Sequence, residues 1–187
     1  MQFLENLAMW TTSAILLGQL ADSTPVFDRN DSHLEGHPEV RSLLPEIFAR
    51  LSLTDFQEEM FVGVIDLGRE VGLSHCVPVN PDEPVLYAWR KGRRGCSRFT
   101  KDHAPRSCTS VKIVLWQDSS KVVLVTAFVG GDVAPEPWAS GAASSNAAHA
   151  ASVDFWRSHA LIWDPDLADL SLGVRTEAPD FWQQAVL

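Results

Sequence analysis

Several residue types are scarce in this chain, and each shortage narrows what the protein can be. Its 187 residues include three Cys, one Tyr and no Cys-x-x-Cys pair. An odd number of widely spaced cysteines does not form the framework of a disulfide-rich secreted domain. The N-terminus lacks the basic region of a signal peptide, and no apolar run reaches the roughly 18 residues of a membrane span. We therefore expect a cytoplasmic protein with reduced thiols and no membrane partner.

The sequence also lacks the motifs of several enzyme classes. Its glycines form neither a Gly-x-Gly-x-x-Gly nor a phosphate-binding loop, and it has no Gly-x-Ser-x-Gly elbow or His-Glu-x-x-His pair. A zinc site built from Cys96, His103 and Cys108, with His75 or Cys76 as fourth ligand, has suitable donors. It lacks a close cysteine pair, however, and neighbouring cations would oppose a metal ion. We expect no cofactor, and this zinc site stays open as an alternative.

The first third of the chain has the apolar spacing of helices. Residues 2–20, 38–51 and 54–71 place apolar side chains three and four positions apart, most regularly in the third segment. Thr54 and Gln57 form a candidate capping box at its start. Residues 1–72 are therefore predicted to be a helical region.

The pattern changes after Gly72. Val111–Trp116 and Val122–Val129 are β-branched runs around a polar joint, which is a hairpin signal, and residues 85–89 and 160–163 are shorter strand candidates. The alanine-rich residues 139–153 are predicted to be a flexible loop that is partly helical in its alanines, and residues 154–159 a helical turn. The sequence thus predicts an α+β fold: N-terminal helices followed by an antiparallel β-sheet (residues 73–163) and a tail (164–187), all in a single domain.

Positive charge is concentrated in one segment of an otherwise acidic chain. The net charge is −9, yet residues 90–106 carry seven bases against one acid. Such a basic segment beside aromatic residues is typical of a surface that binds RNA or another polyanion. The candidate substrate-binding residues are Arg90, Lys91, Arg93, Arg94, Arg98 and Lys101. A solvated basic loop, or one that pairs with acidic parts of the same chain, is the alternative.

Groups suited to acid–base chemistry lie in and around the basic segment. Cleavage of RNA without a metal needs a base for the 2′-hydroxyl, an acid for the leaving 5′-oxygen and cations for the phosphate. Histidine suits the first two roles near neutral pH. We predict His103 as the base and His75 as a candidate acid, with Arg106 and Thr109 as helpers; His159 is a second candidate acid.

Residues 75–163 resemble the small metal-independent ribonuclease toxins grouped with barnase, EndoU, the colicin ribonucleases and the RelE-like toxins. The resemblance rests on the basic His-containing segment, the hairpin after it, the Pro-Glu-Pro-Trp turn that ends at Trp138, and residues 155–163. It implies an endoribonuclease that uses His103 with Arg90, Lys91, Arg106 and Thr109. Toxins of this group are usually basic, so an acidic N-terminal region or an acidic inhibitor protein would act as a restraint.

A non-catalytic protein is the alternative function. Its basic loop would dock an acidic protein or a nucleic acid, with several tryptophans at the interface. Replacement of His103 should separate the two, since only an enzyme would lose turnover.

Overall fold

The computed structural model describes residues 15–28, 34, 38–93, 95–139 and 141–182. The chain divides into two compact units, each built from two chain segments. Unit 1 comprises Met1–Gly72 and Cys108–Asp132, and unit 2 comprises Leu73–Ser107 and Val133–Leu187. Every element described below belongs to one unit, except a small sheet where the chain passes between them.

The described residues form twelve strands and two α-helices. The strands are β1 (Leu16–Gln19), β2 (Pro25–Asp28), β3 (Met60–Asp66), β4 (Gly72–Ser74), β5 (Cys76–Pro78), β6 (Leu86–Trp89), β7 (Cys96–Thr100), β8 (Arg106–Cys108), β9 (Ser110–Asp118), β10 (Lys121–Val129), β11 (His159–Ile162) and β12 (Val174–Arg175). The helices are α1 (Pro38–Phe48) and α2 (Asn146–Arg157).

Unit 1 is a five-stranded sheet with one helix on it. The strand order is β1-β2-β10-β9-β3, in which only β2 and β10 pair in parallel. Alternate residues of β9 and β10 are fully buried, among them Ile113, Leu115 and Val122. They pack with the apolar face of α1, which includes Leu44 and Phe48. The two-residue periodicity of the hairpin therefore forms the core of this unit.

Unit 2 has its own five-stranded sheet, in the order β12-β6-β7-β11-β5. The central strand β7 is buried at all five positions. It pairs antiparallel with β6 and parallel with β11. Trp156 of α2 and Trp182 are almost fully buried with Tyr87 and Cys96 on this sheet. Strands β4 and β8 form a separate two-stranded sheet at the boundary between the units.

The predicted fold class is wrong, because the described chain is mostly β and distributes its strands over three sheets. The predicted third helix is instead a 3-10 turn at Leu53–Asp55 followed by β3. Its apolar residues also alternate, so that Phe61 and Ile65 pack on the core while Met60 and Val62 are exposed. Both periods fit the sequence, and pairing with β9 decides for the strand.

Two further differences come from short elements. Leu16–Gln19, predicted as the end of a helix, is strand β1, and the rest of that prediction, over residues 2–14, lies outside the described residues. The partly helical alanine-rich loop and the helical turn predicted after it form one continuous helix, α2, which begins where Ser145 Oγ accepts from the Ala148 amide at 3.1 Å.

Several predicted elements are confirmed. A helix occupies Pro38–Phe48, the hairpin is β9 and β10 joined at residues 119–120, and β6 and β11 lie within the shorter strand candidates or overlap them. No helix in the described ranges is long and apolar enough to cross a membrane.

Candidate functional site

The first half of the basic segment is a tight turn between β6 and β7. The Arg90 amide donates to the Gly95 carbonyl at 2.8 Å, and the Arg93 amide donates to the Arg90 carbonyl at 3.0 Å. Gly92 has φ +68°, a conformation that L side chains rarely adopt. Lys91 and Arg93 are exposed. We call residues 90–95 the basic turn; Arg94, predicted to bind substrate, lies outside the described residues.

Arg98 is buried in unit 2, although the sequence predicted it to bind substrate. It is 4% exposed, and its Nη1 donates to the carbonyls of Trp156 and Arg157 at the end of α2. Those carbonyls have no partner within the helix, because the last turn always leaves four free. The guanidinium therefore binds the end of the helix.

Lys101 directly follows the last residue of β7. Its ammonium is 5.0 Å from the centre of the Trp163 ring, a cation–π contact. Trp163 in turn makes an edge-on contact with Phe99. This predicted binding residue therefore sits at the opposite end of β7 from the basic turn.

His103 pairs with a carboxylate. Its Nε2 is 2.7 Å from Glu83 Oε2, and hydrogen bonding from His103 holds the pKa of Glu83 below its usual range. The His103 side chain is 26% exposed. The sequence alone does not indicate Glu83 as the partner of His103, because the two residues are 20 positions apart.

The other predicted catalytic residues are spread over the structure. His75 is exposed between β4 and β5, and Arg106 is exposed in β8. Thr109 belongs to unit 1, where hydrogen bonds from the Gly68 amide and then from the Thr109 side chain lower the pKa of Asp66. Within unit 2, Arg90 and His103 flank opposite ends of β7. The structure therefore describes no single cluster that contains all of the predicted residues.

Glu136, which the sequence analysis did not select, is a mostly buried carboxylate beside the basic turn. Its Oε2 lies 3.7 Å from Arg90 Nη1, and its side chain is 13% exposed. Burial raises the pKa of Glu136 above its usual range. Hydrogen bonding from Ser97 and Trp138 and the charges of Arg90 and Arg93 oppose that rise. Glu136 is thus a proton acceptor in a dry, partly cationic setting, a combination found at catalytic sites.

The buried oxygen of this carboxylate is surrounded by polar groups that make no well-formed hydrogen bond. Among the described residues, Glu136 Oε1, Ser97 Oγ and Trp138 Nε1 are buried without a partner of good geometry. Ser97 and Trp138 nevertheless lie close enough to lower the pKa of Glu136. The two groups face the carboxylate and stabilise its charged form only in part.

The segment that carries Glu136 is fixed to α2. Ser152 Oγ donates to the Pro135 carbonyl at 2.6 Å, and Trp156 Nε1 donates to the Ala134 carbonyl at 3.1 Å. Prolines at 135 and 137 restrict the backbone on either side of the glutamate. The position of the carboxylate is therefore set by two side chains of one helix turn.

Two of the three cysteines lie near this carboxylate. Burial, followed by the charge of Glu136, raises the pKa of the Cys76 thiol to about 12. Burial raises that of Cys96 to about 11, with Arg175 opposing it. Both are free thiols that stay protonated at neutral pH. Among the described residues, no three His, Cys, Asp or Glu side chains are grouped so that they could hold a metal ion.

Comparison of the chain with models of protein families, with curated proteins and with solved structures found no match.

Proposed function

We propose that the chain is an endoribonuclease that works by acid–base chemistry at Glu136 and the basic turn. One observation carries the proposal: a mostly buried carboxylate with a raised pKa lies 3.7 Å from an arginine of the most basic part of the chain. A glutamate that is buried in its protonated form could be purely structural. Here, however, the neighbouring arginines are suited to bind a phosphate. The acid–base role that the sequence predicted for His103 passes to Glu136.

In the proposed reaction, Glu136 takes the proton of a ribose 2′-hydroxyl. The 2′-oxygen attacks the adjacent phosphorus, the bond from phosphorus to the 5′-oxygen breaks, and the leaving oxygen takes a proton from solvent. Arg90 and Arg93 stabilise the negative charge that grows on the phosphate. Because Oε1 is buried, Oε2 is the oxygen that would accept the proton.

The test is cleavage of labelled RNA by the purified protein in EDTA. Glu136→Gln keeps the shape of the side chain and removes the base, so we expect a loss of about 10²- to 10⁴-fold in rate. Glu177→Gln, at an exposed glutamate of the same unit, is the matched control and should cleave normally. His103→Ala tests the earlier candidate in the same assay.

The outcomes separate the assignments. Loss of cleavage in Glu136→Gln alone supports the proposal, and loss in His103→Ala alone returns the catalytic role to the His103–Glu83 pair. Intact RNA with the wild-type protein refutes an endoribonuclease acting on that substrate.

A binding protein without catalysis is the second candidate function. The exposure of Lys91 and Arg93 favours it, because exposed cations of a rigid turn can dock an acidic partner without any acid–base group. In this case the protein should retain RNA without cutting it, and Glu136→Gln should leave the affinity unchanged.

A further inference from the structure

Trp138 is held flat on the basic turn. A Cβ atom placed on Gly95 would overlap the Cγ and Cδ2 atoms of the indole, so the ring packs directly on the backbone of Gly95. The rigid segment before it, with prolines at 135 and 137, fixes the direction from which the side chain arrives. The orientation of the ring is therefore set before any ligand binds.

One edge of the same ring faces Glu136. Its Nε1 is buried, and Trp138 opposes the rise in the pKa of Glu136 that burial causes. Other parts of the side chain remain accessible, since Trp138 is only half-buried. By contrast, Trp156 and Trp182 are 1% and 4% exposed and belong to the core of unit 2. Trp138 thus combines a fixed ring, partial exposure and a place beside both the carboxylate and the cations.

These features match the way proteins hold single-stranded nucleic acids. Bases stack on aromatic rings that lie along a cationic groove, and every base has a face that can stack. A base in a duplex is already stacked on its neighbours and has no free face, whereas a base of a single strand does. A ring that is already immobile loses little conformational entropy when a base stacks on it.

We propose that Trp138 is the stacking platform for an unpaired base of a single-stranded RNA, next to a phosphate held by Arg90 and Arg93. The inference rests on the proposed function and names its substrate as single-stranded rather than duplex RNA. It also gives Gly95 a role, since any side chain there would push the platform away.

The alternative is that Trp138 only shields Glu136 from water. A shielding residue would affect stability and the titration of Glu136 but would not distinguish single strands from duplexes. The comparison of two RNA forms therefore reports on stacking alone.

The experiment measures binding in the Glu136→Gln protein, which should not cut its ligand. A short single-stranded RNA and the blunt duplex of the same sequence are titrated at one fixed salt concentration. We expect the single strand to bind more tightly. Adding Trp138→Leu should weaken single-strand binding about tenfold, in the range measured for loss of one stacked base, and leave duplex binding unchanged. Trp138→Phe keeps a ring and should retain most of the affinity.

A second variant guards against a folding defect. Gly95→Ala leaves the tryptophan in place in the sequence but displaces its ring, so it should reproduce the selective loss of Trp138→Leu. Circular dichroism melts of each variant establish that unit 2 remains folded.

Each result bears on a defined claim. Equal affinity for both RNA forms, unchanged by Trp138→Leu, overturns the stacking inference, and RNA cleavage by the wild-type protein would still support the proposed function. Selective loss of single-strand binding with no cleavage by the wild-type protein supports the platform and refutes the ribonuclease. Absence of RNA binding overturns both.

Discussion

At the scale of single residues, the burial of Glu136 has a thermodynamic signature. Its pKa is raised in the folded protein, so the folded state holds this proton more strongly than the unfolded chain does. The stability of the wild-type protein therefore falls as the pH rises from the ordinary glutamate range through the raised pKa. Above that pKa, the ionised carboxylate is a net cost to folding.

Glu136→Gln should accordingly be more stable than wild type at neutral pH. The gain in free energy of unfolding should be complete above the raised pKa and disappear below the ordinary glutamate range. Denaturant unfolding of both proteins from about pH 3 to about pH 8, a range that begins below the ordinary glutamate pKa of about 4.3, measures the difference. Glu177→Gln, at an exposed glutamate, is the matched control. A Glu136→Gln protein less stable than wild type at neutral pH would mean that the pairing of Glu136 with Arg90 is structural.

The raised pKa of Glu136 also determines where the cleavage rate falls on the acid side of its pH profile. As a base, Glu136 must be ionised, so cleavage should be lost as the pH falls through its raised pKa. We expect the acid limb of kcat/KM to lie above the usual range of a glutamate. A limb within or below that range would contradict the assignment of the base.

At the scale of elements, α2 positions the carboxylate from a distance. Ser152→Ala removes the 2.6 Å hydrogen bond to the Pro135 carbonyl and leaves that oxygen only the longer bond from Trp156 Nε1, at 3.3 Å. We expect the free energy of unfolding to fall by about 1 kcal/mol. We also expect kcat to fall by a larger factor than KM changes, because the base is misplaced rather than removed. Urea unfolding and steady-state cleavage measure the two effects. An unchanged kcat would show that Trp156 alone suffices to hold the segment.

Arg98 joins the end of α2 to the central strand of unit 2. Arg98→Gln shortens the side chain and withdraws the charged donor from the Trp156 and Arg157 carbonyls. The expected destabilisation is about 3 kcal/mol, as for a lost hydrogen bond from a buried charged group. Arg175→Gln, in exposed β12, is the matched control. Equal stability of the two variants would contradict the structural role of Arg98.

The elements that could be predicted from sequence are those whose pattern has one interpretation. The hairpin of β9 and β10 consists of two β-branched runs around a short turn, and α1 has its apolar face and no competing period. In β3 the same apolar residues satisfy both a helical and a strand period, and only a partner strand far along the chain chooses between them.

The site was predictable in part for the same reason. Charge density marks the basic turn directly in the sequence, whereas the burial of Glu136 arises from α2 and from the contact of Trp138 with Gly95. The local signal that could have drawn attention to Glu136 is an acid between two prolines and ahead of a tryptophan. A rigid segment with one charged residue can keep a catalytic group in a fixed position. Sequence spacing alone, however, does not show that this segment lies beside the arginines of the basic turn.

At the scale of the whole molecule, each unit has its own core. Leu115 is fully buried among residues of unit 1, and Trp156 among residues of unit 2. Leu115→Ala should destabilise unit 1 by about 2–5 kcal/mol through the cavity it leaves. Native-state hydrogen exchange should then accelerate in β9 and β10 more than in α2. Equal acceleration in both units would show that the protein unfolds as one cooperative body.

The order in which the strands of unit 2 are synthesised bears on when the proposed site is complete. Strand β11 pairs with both β7 and β5, yet it is synthesised only after the whole hairpin of unit 1. A nascent chain that already displays its basic turn therefore lacks Glu136, then α2, and then the strand that completes the sheet. For an endoribonuclease of the proposed kind, the ribosome, itself largely RNA, would meet a cation-rich polypeptide without a complete site until nearly all of unit 2 has left the exit tunnel.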